Sequence, residues 1–241
     1  MELYHSQGII FKTLKYGETS IICDIYTREK GLKSFIVSGI RNQKSGSKAA
    51  IYRHLNIVDI VAYNQEGDRL ARIKEINLGH HYALINAHVI ISSVAIFMLE
   101  ICRNAIRERE PNPELFDFLC SWLLFLDNHE PFHPDSHLLF MIEFSSALGF
   151  GPMPNQHTTR PYFSLIEGCF DHFAASAPHV LDSAESNDLY SLLLATRDKL
   201  GNFKLPKASR DKLTENLLMY YKLHLPSFKT IQSLDVLRAV L

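Results

Sequence analysis

At 241 residues the chain exceeds the roughly 100–150 residues of a common single domain, so one large or two small domains with a real core are expected. An apolar share of 46% and a charged share of 21% exclude general disorder. The net charge of −1 hides an asymmetry: residues 1–77 hold 12 Lys+Arg against 8 Asp+Glu, and residues 78–241 hold 13 against 18, which favours local contact with an anionic partner over global attraction.

Up to about residue 78 the segments are short, rich in β-branched and aromatic residues, and bounded by Gly or polar turns. Five strands are predicted over 6–16, 19–27, 31–38, 54–63 and 69–78, with turns at YGE, REKG and NQEGD. Alternation is imperfect, as in Ile21-Ile22 and in the run Val58-Asp59-Ile60-Val61, which a barrel partly covered on its outside tolerates better than an open sheet. Five strands with a net positive charge fit an OB-type barrel, a scaffold that commonly binds single-stranded nucleic acid; an SH3-like barrel is the competing choice. The one long connection is GIRNQKSGSKAAIYRH, residues 39–54, with Arg41, Lys44, Lys48 and Arg53 and no acid.

Beyond residue 80 the period becomes helical. A long helix is expected over 83–108, and a second over 112–128 with Asn112 as N-cap and Pro113 at the first helical position. A third spans 134–149 and ends at Gly149-Phe150-Gly151. Residues 152–181 read as an irregular insert with one hairpin near 162–173. Helices then follow over 182–201, where Asp182 and Glu185 suggest a capping box, over 210–224, and briefly near the end. The expected class is α+β: a barrel domain over 1–79 and a helical domain over 80–241.

No stretch reads as an active site. HEPFH, His129 to His133, matches the H-E-x-x-H zinc pattern, but Pro131 and Pro134 break the helix that the pattern needs. Phosphate loops, a G-x-S-x-G elbow and spaced carboxylate clusters are missing from the sequence. His80-His81 lies at the junction of the two parts, where a structural role is expected. Cys23, Cys102, Cys120 and Cys169 form no C-x-x-C pair and read as buried thiols of a reducing compartment. The start MELYHSQGII lacks a signal-peptide pattern, and the longest uncharged apolar run, 88–99, is too short to span a membrane. A cytoplasmic protein without enzymatic turnover, metal or cofactor is expected.

The remaining candidates are cations. Arg41, Lys44, Lys48 and Arg53 of the long connection, with Lys12, Lys15, Lys33, Arg72 and Lys74 on strands, could track phosphates while Phe35, Tyr52 or Tyr63 stack on bases. The plain alternative is a solvated charge run above core aromatics.

YGETS (16–20), IYTREKG (25–31), the GIR and KS of the long connection, SSALGFGP (145–152) and LHLPSFKT (223–230) together resemble the bacterial recombination mediator RecO family, in order along nearly the whole chain. The resemblance implies an N-terminal OB fold, a helical domain and no turnover. It further implies binding of single- and double-stranded DNA, annealing of complementary strands, and work with RecR to help RecA replace single-stranded-DNA-binding protein. A nucleoid-associated location follows from the same source. Many relatives hold zinc with four cysteines in the insert, whereas PNQHTTRPYFSLIEGCFDHF keeps only Cys169, so the insert resembles a degenerate zinc finger. Relatives are also expected to grip the acidic tail of single-stranded-DNA-binding protein with basic residues of the helical domain. The helix over 134–149 has no Lys or Arg, which leaves Arg103, Arg107 and Arg109 as candidates. A protein-only helical adaptor with a supporting barrel is the alternative function.

Overall fold

The computed structural model describes residues 2–40, 46–65, 69–106, 110–129, 131–154, 161–173 and 176–241, the side chains of 46–48 and 202 excepted. Strands β1 (Leu3–Tyr16), β2 (Ser20–Thr27), β3 (Gly31–Val37), β4 (Ile57–Tyr63) and β5 (Ala71–Leu78) form a closed barrel in the order β1-β2-β3-β5-β4. Every pairing is antiparallel except the short parallel contact of β3 with β5. This order is that of the OB-type barrel, and it decides against the SH3-like alternative. Gly17 and Gly31, at φ 63° and 64°, take the left-handed conformation that the tight turns require.

Ile10, Ile21, Cys23, Ile25, Phe35, Val58, Ile60, Ala62 and Ala71 fill the barrel. A register shift in β1 between Ile10 and Lys12 leaves Phe11 to face outward. There Phe11 stacks on Tyr26 at 5.3 Å between ring centroids, and Tyr26 meets Phe116 of a later helix at 6.2 Å. The wall is therefore apolar on both sides at this place, and strict alternation fails.

The described part of the long connection is partly helical. Residues 46–51 form helix α1 (Gly46–Ile51), followed by Tyr52, only 5% exposed within the barrel core. The Ala49-Ala50 pair favours helix, and Ile51 and Tyr52 have apolar surface to bury. Asn56 Nδ2 closes the helix end by donating to the Ala50 and Ile51 carbonyls at 3.0 and 2.9 Å. Leu55 then turns the chain at φ 75°. Its amide donates to the Ile10 carbonyl at 3.0 Å, and its carbonyl accepts from the Tyr82 hydroxyl at 3.0 Å, which holds a conformation unfavourable for a branched side chain.

The chain forms two compact units, Met1–Ala95 with Ile106–His129, and Ile96–Ala105 with Glu130–Leu241. The single helix expected over 83–108 is two, α2 (Leu84–Ala87) and α3 (Val89–Ala105), parted by an extended His88 at φ −114° and ψ 117°. Helix α4 (Pro113–Asn128) follows the sequence reading: Asn112 accepts from the Leu115 amide at 3.0 Å and Pro113 sits in the first turn. Near its end, buried Asp127 accepts from the Ala83 and Ile85 amides at 3.0 Å each and lies 3.3 Å from His80 Nε2. Burial works to raise the carboxyl, but the Ile85 and Ala83 amides outweigh it and hold Asp127 below the usual range. Asp127 thus satisfies orphan amides at the start of α2, and His80 takes the structural role expected of it. His129 is extended and stacks on Phe125 at 4.6 Å, and residues 131–133 are not helical, so His129 and His133 do not share a helix.

In the second unit the elements are α5 (Ser136–Ala147), β6 (Tyr162–Ser164), β7 (Cys169–Asp171), α6 (Ser183–Leu193), a 3-10 helix (Arg197–Asn202), α7 (Lys207–His224) and α8 (Leu234–Val240). Helix α5 is buried nearly all round, which explains why it carries no Lys or Arg; its one acid, Glu143, is met by Arg197 at 2.7 Å. The Tyr221 hydroxyl donates to the Met141 carbonyl at 2.7 Å and ties α7 to α5. The expected hairpin of the insert is the β6–β7 pair. Asp182 and Glu185 make the expected capping box, but helix stops at Leu193, before an extended Thr196.

Asp135 and Arg210 form a buried ion pair at 2.6 Å. The Leu205 amide donates to Asp135 at 3.3 Å and Arg210 donates to the Leu205 carbonyl at 3.2 Å, so the pair is hydrogen-bonded as well as neutralised. Beside it His137 lies 3.0 Å from both the Pro134 carbonyl and the Thr214 hydroxyl. Burial, with the Arg210 charge second, pushes the imidazole down to about 3 from 6.5. Glu100 of α3 accepts from the Gln232 and Ser233 amides at 2.9 Å each and from the Ser233 hydroxyl at 2.6 Å, capping α8. Among the described residues no helix is long and apolar enough to cross a membrane.

Because unfolding lets His137 take up a proton, its contribution to stability is complete above about pH 6.5 and is lost progressively on acidification toward 3. Melting curves between pH 7 and 4.5 should show this fall, and His137→Gln should flatten it. Glu100→Ala should lower the unfolding free energy by ~1–3 kcal/mol and speed amide exchange in α8 more than in α5.

Candidate nucleic-acid interface

Registers across the barrel sort its side chains into two faces, since directly paired residues share a face. Thr13, Cys23, Phe35 and Ala71 form one cross-strand row, and Cys23, Phe35 and Ala71 are core residues. The next row, Leu14, Ile22, Ile36 and Arg72, therefore faces outward. Two residues along β1 in either direction lie Lys12 and Tyr16, opposite Asp24 and Ser20. Leu14 is 47% and Tyr16 51% exposed, while Ile22 and Ile36 are half-buried. The outer surface of β1, β2, β3 and the start of β5 is thus an aliphatic stripe ending in an arginine, with a lysine and a tyrosine at its margins. Asp24, which pairs with Lys12 across the strands, accepts from the Ser34 hydroxyl at 2.6 Å.

The structure brings some of the candidate cations together and separates others. Lys12 and Arg72 share the outer face. Lys15 and Lys33 pair with Ile21 and Ile25, which face the interior, and lie near opposite rims of the sheet. Lys74 is the extra residue where the β4–β5 register shifts between Val61 and Ala62; it is exposed and 3.7 Å from Glu75. Arg53 is exposed directly after buried Tyr52. Arg41 and Lys44 lie outside the described residues, and of Lys48 only the backbone, on α1, is described. Arg103 is exposed in the last turn of α3, and Arg107 and Arg109 lie outside the described residues.

The aromatic expectations need correction. Phe35 is 0% exposed and Tyr52 5%, so neither can stack on a base; Tyr63 is half-buried at the end of β4. The exposed aromatic of the barrel's outer patch is Tyr16, which sequence reading passed over. The available signal was the doubled Ile21-Ile22 and Phe35-Ile36, where one residue of each pair fills the barrel and the other lies in the stripe.

Burial pushes the Cys23 and Cys120 thiols up to about 12, far from the thiolate that nucleophilic catalysis requires. Among the described residues no group of three His, Cys, Asp or Glu side chains could hold a metal ion. Cys169 sits on β7, paired in register with Ser164.

Comparison with known proteins matches residues 1–82 to the family described as Recombination protein O N terminal and residues 90–231 to Recombination protein O C terminal. A protein named DNA repair protein RecO from Flavobacterium psychrophilum is 34% identical over 236 residues, 98% of each chain. Proteins of the same name from Christiangramia forsetii and Phocaeicola vulgatus are 32% identical over 239 residues, 99% of each chain, and 31% identical over 236 residues, 98% of each chain. With both portions matched in order and the relatives aligned from end to end, the chain belongs to the recombination protein O family.

Proposed function

We propose that this chain is a DNA-repair and recombination mediator. In this reading it binds single- and double-stranded DNA, anneals complementary strands and, with RecR, helps RecA onto DNA coated by single-stranded-DNA-binding protein. It acts without enzymatic turnover, cofactor or metal, in the cytoplasm at the nucleoid. Residues 1–79 are the DNA-contacting domain. Residues 80–241 dock protein partners, with Arg103, Arg107 and Arg109 meeting the acidic tail of single-stranded-DNA-binding protein.

The observation that carries the reading is the outer face of the barrel, an apolar row bordered by Lys12 and Arg72 in a chain of this family. Phosphates are held by these two cations and by Lys15, Lys33, Arg41, Lys44, Lys48, Arg53 and Lys74 around the barrel. Annealing requires fixed cations of this kind, because two polyanionic strands must approach each other.

Salt titration of single-strand affinity tests the reading. Affinity should fall with a log–log slope of about −0.7 per neutralised phosphate, and Lys12→Ala with Arg72→Ala should reduce the slope by roughly one phosphate each. Replacing Arg41, Lys44, Lys48 and Arg53 together with Ala should weaken binding about uniformly across sequences and depress annealing. Substitutions away from packed or hydrogen-bonded groups usually change stability by under ~0.5 kcal/mol each, and the fold is expected to survive. No single-strand binding at low salt would leave the protein-only adaptor as the better account.

A further inference from the structure

Resting on the nucleic-acid reading above, we infer that the row Leu14, Ile22 and Ile36 with Tyr16 is a base-stacking platform, and that Tyr16 makes the barrel select unstacked single strands over duplex. Phosphate contacts alone cannot produce a preference for single strands, since the duplex carries the denser backbone charge. Selection needs a group that uses the flat faces of bases, which a duplex hides inside its stack.

Tyr16 has the required placement. Its side chain is 51% exposed at the end of β1, on the same face as Leu14 and two residues beyond it. The next residue, Gly17, takes the left-handed conformation at φ 63° and turns the chain away at the end of β1. Ile22 and Ile36 continue the apolar surface across β2 and β3. Arg72 at the far end of that row and Lys12 at the near margin would hold the backbone on either side of bases lying on the stripe. Asp24, opposite Lys12, is hydrogen-bonded by Ser34. A partner with apolar flat surfaces between anionic groups fits this pattern, and single-stranded DNA is such a partner.

The test uses the full chain and fluorescence anisotropy with three probes of equal length: oligo(dT), a duplex, and an abasic phosphodiester oligomer. Tyr16→Ala is expected to weaken oligo(dT) binding by roughly 5- to 100-fold, the range that loss of one stacked base represents. The salt slope, duplex affinity and abasic-oligomer affinity should stay as in the wild type. Tyr16→Phe should bind like the wild type, because stacking needs the ring and not the hydroxyl. Leu14→Ser, a second variant on the same face, should give a smaller loss confined to oligo(dT).

An oligo(dT) affinity unchanged in Tyr16→Ala, or an equal loss on the duplex or the abasic oligomer, overturns the platform while leaving phosphate binding intact. Failure of the wild type to bind any probe at low salt instead overturns the nucleic-acid reading, and the platform with it.

Discussion

A barrel of five short strands has room inside for one layer of side chains, and the two-residue period of β structure sends the alternate set outward. Once Cys23, Phe35 and Ala71 are sealed within, Ile22, Ile36 and Arg72 have no choice of face. A one-residue slip would bury an arginine and expose a phenylalanine, each costly, so the register that builds the core also fixes the outer patch. Stability of the first unit and the layout of its surface are consequences of the same pairing. Surface changes on the outer row should therefore separate cleanly from folding, whereas changes one residue away on the same strands should not.

The second unit rests on a different device. Helix α5 is apolar on nearly every side, and the turn leading into it carries Asp135, whose charge is answered by Arg210 of α7. Such a pair contributes little net energy compared with a well-packed apolar substitute, but losing one partner strands the other in a dry site. His137 adds a base kept neutral by the same surroundings. These groups give the unit a fixed arrangement of α5 against α7 that oily side chains alone would specify less sharply.

Much of this organisation was legible in the sequence. Gly17 and Gly31 punctuate the strands, Asn112 with Pro113 opens α4, and Asp182 with Glu185 opens α6, because each residue type answers a local backbone demand that reads without tertiary context. Pro131 and Pro134 announced that α4 would end near residue 128. Helix α1 was missed because a run rich in cations was weighed for its charge and not for Ile51 and Tyr52, which pull it onto the core. The break at His88 carries no Gly or Pro to announce it. Most of the outer stripe was hidden in what looked like faulty alternation. Ile22 and Ile36 register as surface only when their neighbours on adjacent strands are known, and that information is non-local. The same is true of Lys15 and Lys33, equal to Lys12 in composition but assigned to the other face by pairing.

The two units interleave along the chain: Ile106–His129 packs with the barrel unit although Ile96–Ala105, which precedes it, belongs to the other. During synthesis the barrel strands leave the ribosome first, yet Phe11 and Tyr26 on their outer wall wait for Phe116, about ninety residues later than Tyr26 by position, before they are covered. For that interval the nascent chain presents an aromatic patch to its surroundings. A fragment ending near residue 79 or 95 would present it permanently, so cutting this protein at the apparent end of the barrel invites aggregation, and a fragment meant to stand alone must carry α4 with it.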